Sequence, residues 1–236
     1  MGTPNTSKQV LENFSQRVTL MPGLSREEIA EFQKRLPGPL PDEIRELLGY
    51  SAGFHLASVG SVHFTGTTDS QFTKALPFAV TLLADGSGNF WVVDVNSKSG
   101  AWGAVFFVSH DPPVIVVQSP ELETFLSQVL DPGQSNPKNA LNHVRKVGAM
   151  RIWKDDPWLI SVRDARTVQD PGVSNFAGQL PENFRLADLR SREVGSGFSW
   201  GLAGPNAEVR RDGAELLFGV EQKAPSFLKR VLTRTR

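Results

Sequence analysis

Residues 36–54 read LPGPLPDEIRELLGYSAGF, and the angle they impose on the chain decides the fold. Pro37, Pro39 and Pro41 fall within five residues. Each lacks an amide donor and restricts the residue before it, so no helix crosses this stretch. Pro41 suits the first turn of a new helix, where a missing donor costs nothing. Asp42 and Glu43 follow, at the end where the helix dipole favours carboxylates. Ile44, Leu47 and Leu48 supply one apolar face, and Gly49 or Gly53 is the expected stop. Upstream, Ser25-Arg26-Glu27-Glu28 has the spacing of a capping box, with Ile29, Phe32 and Leu36 as the stripe of the preceding helix. The prolines thus set a sharp corner between two amphipathic helices. An earlier helix is expected over 7–18, where Val10, Leu11, Phe14 and Val18 share a face behind a Thr6 or Ser7 cap.

Beyond the corner the apolar period changes from helical to alternating. SVHFTG (61–66) reads as a short strand. PFAVTLLADGSGNFWVVDVN (77–96) has apolar arms around a Gly-rich turn, the pattern of a hairpin. GAVFFVSHDPPVIVVQS (103–119) is a second hairpin turning at His110-Asp111-Pro112-Pro113. Ser119-Pro120-Glu121 then opens a helix with Leu122, Phe125, Leu126 and Val129 on one side. Helices, antiparallel strands and a closing helix in that order make an α+β domain.

The expected division is a domain over 1–132, a linker at 133–139 within DPGQSNPKN, and a β-rich extension over 140–236 packed on the first domain. In the extension, ALNHVRKVG reads as a short helix and APSFLKRVL as a terminal one. GAMRIW, WLISVR, FRLADLR, AEVRR and AELLFGVEQ read as strands, with a tight turn at Arg211-Asp212-Gly213. There is no internal repeat and no low-complexity tract.

Composition narrows the chemistry. The 236 residues include no cysteine, which rules out disulfides, thiolate zinc sites and cysteine nucleophiles and suits a reducing compartment. The N-terminal stretch has no apolar signal region and no later run reaches the ~18 apolar residues of a span, so a cytoplasmic protein without membrane contact is expected. The net charge of zero hides an asymmetry. Residues 1–130 carry 8 Lys/Arg against 13 Asp/Glu, and residues 131–236 carry 17 against 12. The acidic first part favours basic partners, and the dispersed cations of the second part form no nucleic-acid patch.

Four segments in order carry a resemblance. EEIAEFQKRLPGPLPDEIRELLGYSAGF, ADGSGNFWVVDV, GAVFFVSHD and SPELETFLSQVL resemble the SUKH superfamily, the Smi/Knr-type proteins, over roughly residues 24–130. That family has an LP-x-x-(F/Y)-x-x-(F/L)-L helix followed by glycine, a DG-x-G turn, a strand into HD, and an S-F-x-x-F-L helix. Here Ile44 replaces the usual aromatic, GYSAGF stands where x-x-NGG is usual, and the C-terminal part is left unexplained. The resemblance implies a SUKH-like antiparallel sheet with flanking helices and a binding role without catalysis or cofactor. Bacterial members resemble immunity proteins that bind and neutralise toxins; the alternative role is an intracellular regulatory adaptor with an endogenous partner. The candidate binding residues, on loops and edges, are Asp69, Asp85, Asp94, Trp102, His110 and Asp111.

Several motifs suggest other chemistry and are incomplete. Gly197-Phe-Ser199-Trp-Gly201 matches the nucleophile elbow, but the last histidine, His143, precedes it and no helical pattern follows. Asp85, Ser87 and Asn89 have calcium-loop spacing, but Phe90 and Asn96 stand where glycine and a bidentate glutamate are required. The four histidines have no ligand spacing, so no metal is expected. Asp155-Asp156 between Trp153 and Trp158 is the one carboxylate pair with aromatic company, and reads as a turn.

Overall fold

The computed structural model describes residues 6–67, 71–130, 141–201 and 207–222. Helix α1 spans Ser7–Asn13 and α2 Arg26–Gln33. Both open on a complete capping box, Thr6 with Gln9 and Ser25 with Glu28. In the second, the Ser25 amide donates to Glu28 Oε2 at 2.8 Å and the Glu28 amide to Ser25 Oγ at 3.2 Å. Each box satisfies two amides that a helix start leaves unpaired. Helix α3, Asp42–Tyr50, starts behind an extended Pro41 and buries Ile44, Leu47 and Leu48.

The stop of α3 differs from expectation. Gly49 lies inside the helix, and extended Ser51 ends it, its hydroxyl donating to the Met21 carbonyl at 2.8 Å. The glycine that matters is Gly23, because a Cβ there would come within 2.0 Å of the Gly49 oxygen. The loop before α2 therefore lies directly on the end of α3, where the Leu24 amide donates to the Leu48 carbonyl at 2.8 Å.

Strands β1 (Thr19–Leu20), β2 (Gly53–Leu56) and β3 (Gly60–His63) form a small antiparallel sheet. The main sheet has β4 (Val80–Ala84), β5 (Phe90–Val95), β6 (Trp102–His110) and β7 (Pro113–Ser119) as successive antiparallel neighbours. Helix α4, Leu122–Leu130, follows. The order in the sheet is β10-β7-β6-β5-β4, where β10 is Gly197–Ser199, so its outer strand comes from far downstream.

Residues 104–108 of β6 are all buried, and an unbroken apolar run of this kind marks a strand covered on both faces. On one face Trp91, Val93, Val105, Phe107 and Val116 pack with the apolar stripes of α1, α3 and α4. On the other, Val92, Phe106, Val108, Ile115 and Val117 pack with Leu159, Ala187, Phe198, Phe218 and Val220 from the C-terminal part.

That part begins with a π-helical turn, His143–Gly148, running into α5, Ala149–Asp155. Strand β8 (Leu159–Ser161), α6 (Val162–Ala165), α7 (Pro171–Gln179), β9 (Phe184–Asp188), β10 (Gly197–Ser199), β11 (Val209–Arg211) and β12 (Leu217–Glu221) follow. A four-stranded sheet, β11-β12-β9-β8, covers the main sheet, and α7 packs on its far side through Val173, Phe176 and Ala177. Helix, sheet, sheet and helix form successive layers, an α+β fold.

Three sequence expectations change here. GAMRIW is helical, because Ala149 and Ile152 face inward three residues apart and the preceding turn is already helical. In WLISVR only Leu159–Ser161 is extended, and Ser161 caps α6 by accepting from the Asp164 amide. Helix α7 is additional, although Asp170 as cap, Pro171 at the first position and an apolar i, i+3, i+4 set are ordinary start signals. The expected linker and terminal helix lie outside the described residues.

Candidate functional site

The tips of the β4–β5 and β6–β7 hairpins meet at one end of the main sheet. Asp85 organises the first tip: its carboxylate accepts from the Ser87 amide at 2.8 Å, from the Asn89 amide at 3.2 Å and from Asn89 Nδ2 at 2.8 Å. Arg145 Nη1 adds a fourth bond at 3.1 Å from the π-helical turn. Burial alone would push the Asp85 carboxyl up, but the bonds from Asn89 and Ser87 and the Arg145 charge outweigh it and hold it below its ordinary value. Gly88, at φ +81°, lies against the His110 ring, where a Cβ would come 2.9 Å from Cε1. His110 and Asp111 are exposed on the second tip.

Around these tips, Pro112, Lys146 and Met150 border a hollow of about 400 Å³. A second hollow of about 360 Å³ lies between Val59, Leu83, Trp91 and Leu141, and Arg145 and Lys146 line both. Val147 is 55% exposed and Met150 40%, so apolar surface stands beside the charges.

A groove of about 660 Å³ forms a separate surface where the starts of α3 and α4 converge beside α1. Val10, Ile44 and Leu122, themselves buried, close its floor, Glu43, Glu121 and Glu123 carry its charge, and the half-buried Trp102 and Arg192 complete the lining. Burial, and then the charges of Glu123 and Glu121, push the Glu43 carboxyl above its ordinary value. Trp102 meets Phe32 edge-on at 6.5 Å, and its buried Nε1 has no partner among the described residues.

The six candidate residues therefore separate. Asp85, His110 and Asp111 come together, although Asp85 is bonded inward. Trp102 lines the acidic groove. Asp94 is not on the surface: it is buried and bonded in bidentate fashion to Arg211, because the C-terminal sheet covers that part of β5. Asp69 lies outside the described residues. Glu43 and Glu121 are new to the groove; their places at helix starts were legible, but not that the two starts converge. Arg145, Lys146 and Met150 are likewise new, since only the fold carries the π-helical turn to the hairpin tips.

The two motifs that suggested catalysis meet each other. Ser199 is fully buried on β10, its hydroxyl donates to Asp156 Oδ2, and its amide donates to Asp156 Oδ1 at 3.3 Å. Burial pushes the Asp156 carboxyl up against the opposing effect of these bonds. All four histidines are exposed, so no imidazole stands beside this serine. Among the described residues, no group of three or more His, Asp or Glu is placed to hold a metal ion, and no helix is long and apolar enough to cross a membrane.

The corner helix, the two tied hairpins and the closing α4 occur together in residues 23–128, and this segment matches the SMI1 / KNR4 family (SUKH-1). It is a SUKH domain. No curated protein and no solved structure matches the chain. The match ends within α4, so the π-helical turn and everything after it lie outside the family segment. In this protein the SUKH sheet has one face covered by that later chain. Its β7 edge is also taken by β10, through the Phe198–Ile115 register and a Trp200 amide to Pro113 carbonyl bond of 2.9 Å.

Proposed function

We propose that this is a non-enzymatic protein-binding molecule of the immunity type, which binds and neutralises a cognate bacterial toxin in the cytoplasm. The SUKH family has immunity-protein-like roles, and membership carries the first part of the reading. The observation supporting a partner-binding role is the tied pair of hairpin tips. Asp85 rigidifies one tip, Gly88 seats the exposed His110 ring, and exposed Asp111, Lys146 and Met150 border a shallow hollow. A preordered polar rim about an apolar residue loses little entropy on binding, which is how a protein–protein surface gains affinity.

With one sheet face and the β7 edge occupied by the chain itself, strand addition at β7 is closed to a partner. Recognition then falls to the tips and grooves. The test is co-expression with the toxin encoded beside the gene. Growth rescue and co-purification are expected, and Met150→Asp with Asp111→Lys should abolish both while leaving the melting temperature unchanged. Absence of both rescue and co-purification would remove the reading, whereas capture of a defined endogenous protein instead would favour a regulatory adaptor.

A further inference from the structure

We infer that the groove between α1, α3 and α4 receives an arginine- or lysine-bearing segment of the partner polypeptide; this rests on the protein-binding reading above. Three features converge there. Glu43 and Glu123 lie in the first turns of α3 and α4, and Glu121 just precedes α4. The positive ends of two helices make it possible to hold three like charges at one opening. Those helix ends are already served by the chain's own carboxylates, so the groove presents negative charge and disfavours anions.

The compensation within the protein is incomplete. Glu123 accepts from Ser7 Oγ at 2.5 Å, but neither Glu43 nor Glu121 has an ion pair among the described residues. The one lining cation, Arg192, donates from Nη1 to the Pro120 carbonyl at 3.3 Å. Burial raises the Glu43 carboxyl first, and the charges of Glu123 and Glu121 push it further the same way.

The shape selects the kind of cation. The described residues place no set of three ligands for a bare metal ion, and about 660 Å³ is room for a side chain with its neighbours. Val10, Ile44 and Leu122 close the floor as buried side chains, while the half-buried Trp102 is the apolar wall, offering an indole to a methylene stem and to its guanidinium or ammonium. Long cationic side chains bury their stems and keep their charged heads for carboxylates, and this groove has both kinds of wall. The acidic balance of residues 1–130 favours approach of such a partner over distance.

The experiment titrates the full chain into a fluorescein-labelled peptide of alternating glycine and arginine, with glycine–lysine and glycine–glutamate peptides as comparisons, at low and high salt. Saturable binding of the two basic peptides and none of the acidic one is expected. Glu43→Gln/Glu121→Gln should weaken it about tenfold or more, a loss of roughly 1.4 kcal/mol. Glu27→Gln/Glu31→Gln removes the same charge from α2, away from the groove, and should leave affinity within about twofold. The Glu43/Glu121 variant should also melt no lower than the parent, since it relieves repulsion. No saturable binding, equal affinity in the groove variant, or an equal loss in the α2 variant would each overturn the inference. The toxin co-expression separates the two proposals: capture undiminished by Glu43→Gln/Glu121→Gln sinks the groove alone, and failure of the parent to capture any toxin sinks the immunity reading while the peptide titration still decides the groove.

Discussion

Arg211, on β11, grips Asp94, on β5, with two parallel bonds of 2.7 and 2.8 Å, and both side chains are only 7% exposed. The same guanidinium donates to the Glu215 carbonyl at 2.8 Å and lies 5.6 Å from the Phe218 ring centre. A buried charge is tolerated when its partner and remaining donors are satisfied, and this pair meets that condition across the two stacked sheets.

Removing one partner strands the other charge. Asp94→Asn or Arg211→Met alone is expected to cost about 3–5 kcal/mol of unfolding free energy. Asp94→Leu with Arg211→Met should recover most of it, because an apolar pair leaves no charge unmatched. Denaturant unfolding of the three variants checks this, and additive losses in the double variant would contradict it.

The Ser199–Asp156 contact should behave as structure. Ser199→Ala is expected to cost about 1–3 kcal/mol, the range for leaving a buried acceptor short of a donor, and to leave toxin rescue intact. Loss of rescue with unchanged stability would instead assign Ser199 a functional part.

Asp156 also sets a pH dependence. Its folded carboxyl is raised above the unfolded value of about 3.9. The folded state therefore binds more protons in that window, so this group's contribution is full below the unfolded value and is lost as pH rises through the folded one. The stability of Asp156→Asn relative to the parent should accordingly improve as pH rises from about 4 towards neutrality. A difference that stays flat with pH would count against the perturbed carboxyl.

Asp85 carries the opposite sign. Its folded carboxyl is lowered, so its contribution is present above the unfolded value and is lost as pH falls through the folded one. Asp85→Ala should lose about 2 kcal/mol at neutral pH, the scale of hydrogen bonds to a charged acceptor, and much less in acid. Amide exchange at Ser87 and Asn89, both donors to Asp85, should accelerate in the variant.

At the neighbouring position, Gly88→Ala places a side chain at φ +81° and 2.9 Å from the His110 ring. A cost of about 1–2 kcal/mol and a displaced His110 ring resonance are expected, because non-glycine residues avoid positive φ and the ring must give way. An unmoved resonance would show that the two tips are not in contact.

Much of the first 130 residues was legible because their signals are local. Capping boxes, three prolines and the switch from helical to alternating period each act within a few residues, so Thr6, Ser25 and Pro41 declare helix starts without knowledge of the rest. The unbroken apolar run of β6 likewise announces two covered faces, but not what covers the second one. GAMRIW reads as a strand taken alone, and the helical turn before it carries it into α5 instead.

What the sequence determined by itself was the helices and the two large hairpins of the SUKH segment, in order, and the apolar face of each helix, since backbone sterics and short-range hydrogen bonds settle these; strand β2 at Gly53–Leu56 was not among them. Only the tertiary structure decided that Asp94 is buried, that Ser199 meets Asp156, that β10 closes the β7 edge, and that Glu43, Glu121 and Trp102 share one groove. Those relationships join residues tens of positions apart, and their energy comes from apolar burial and charge pairing between layers, which no local spacing encodes.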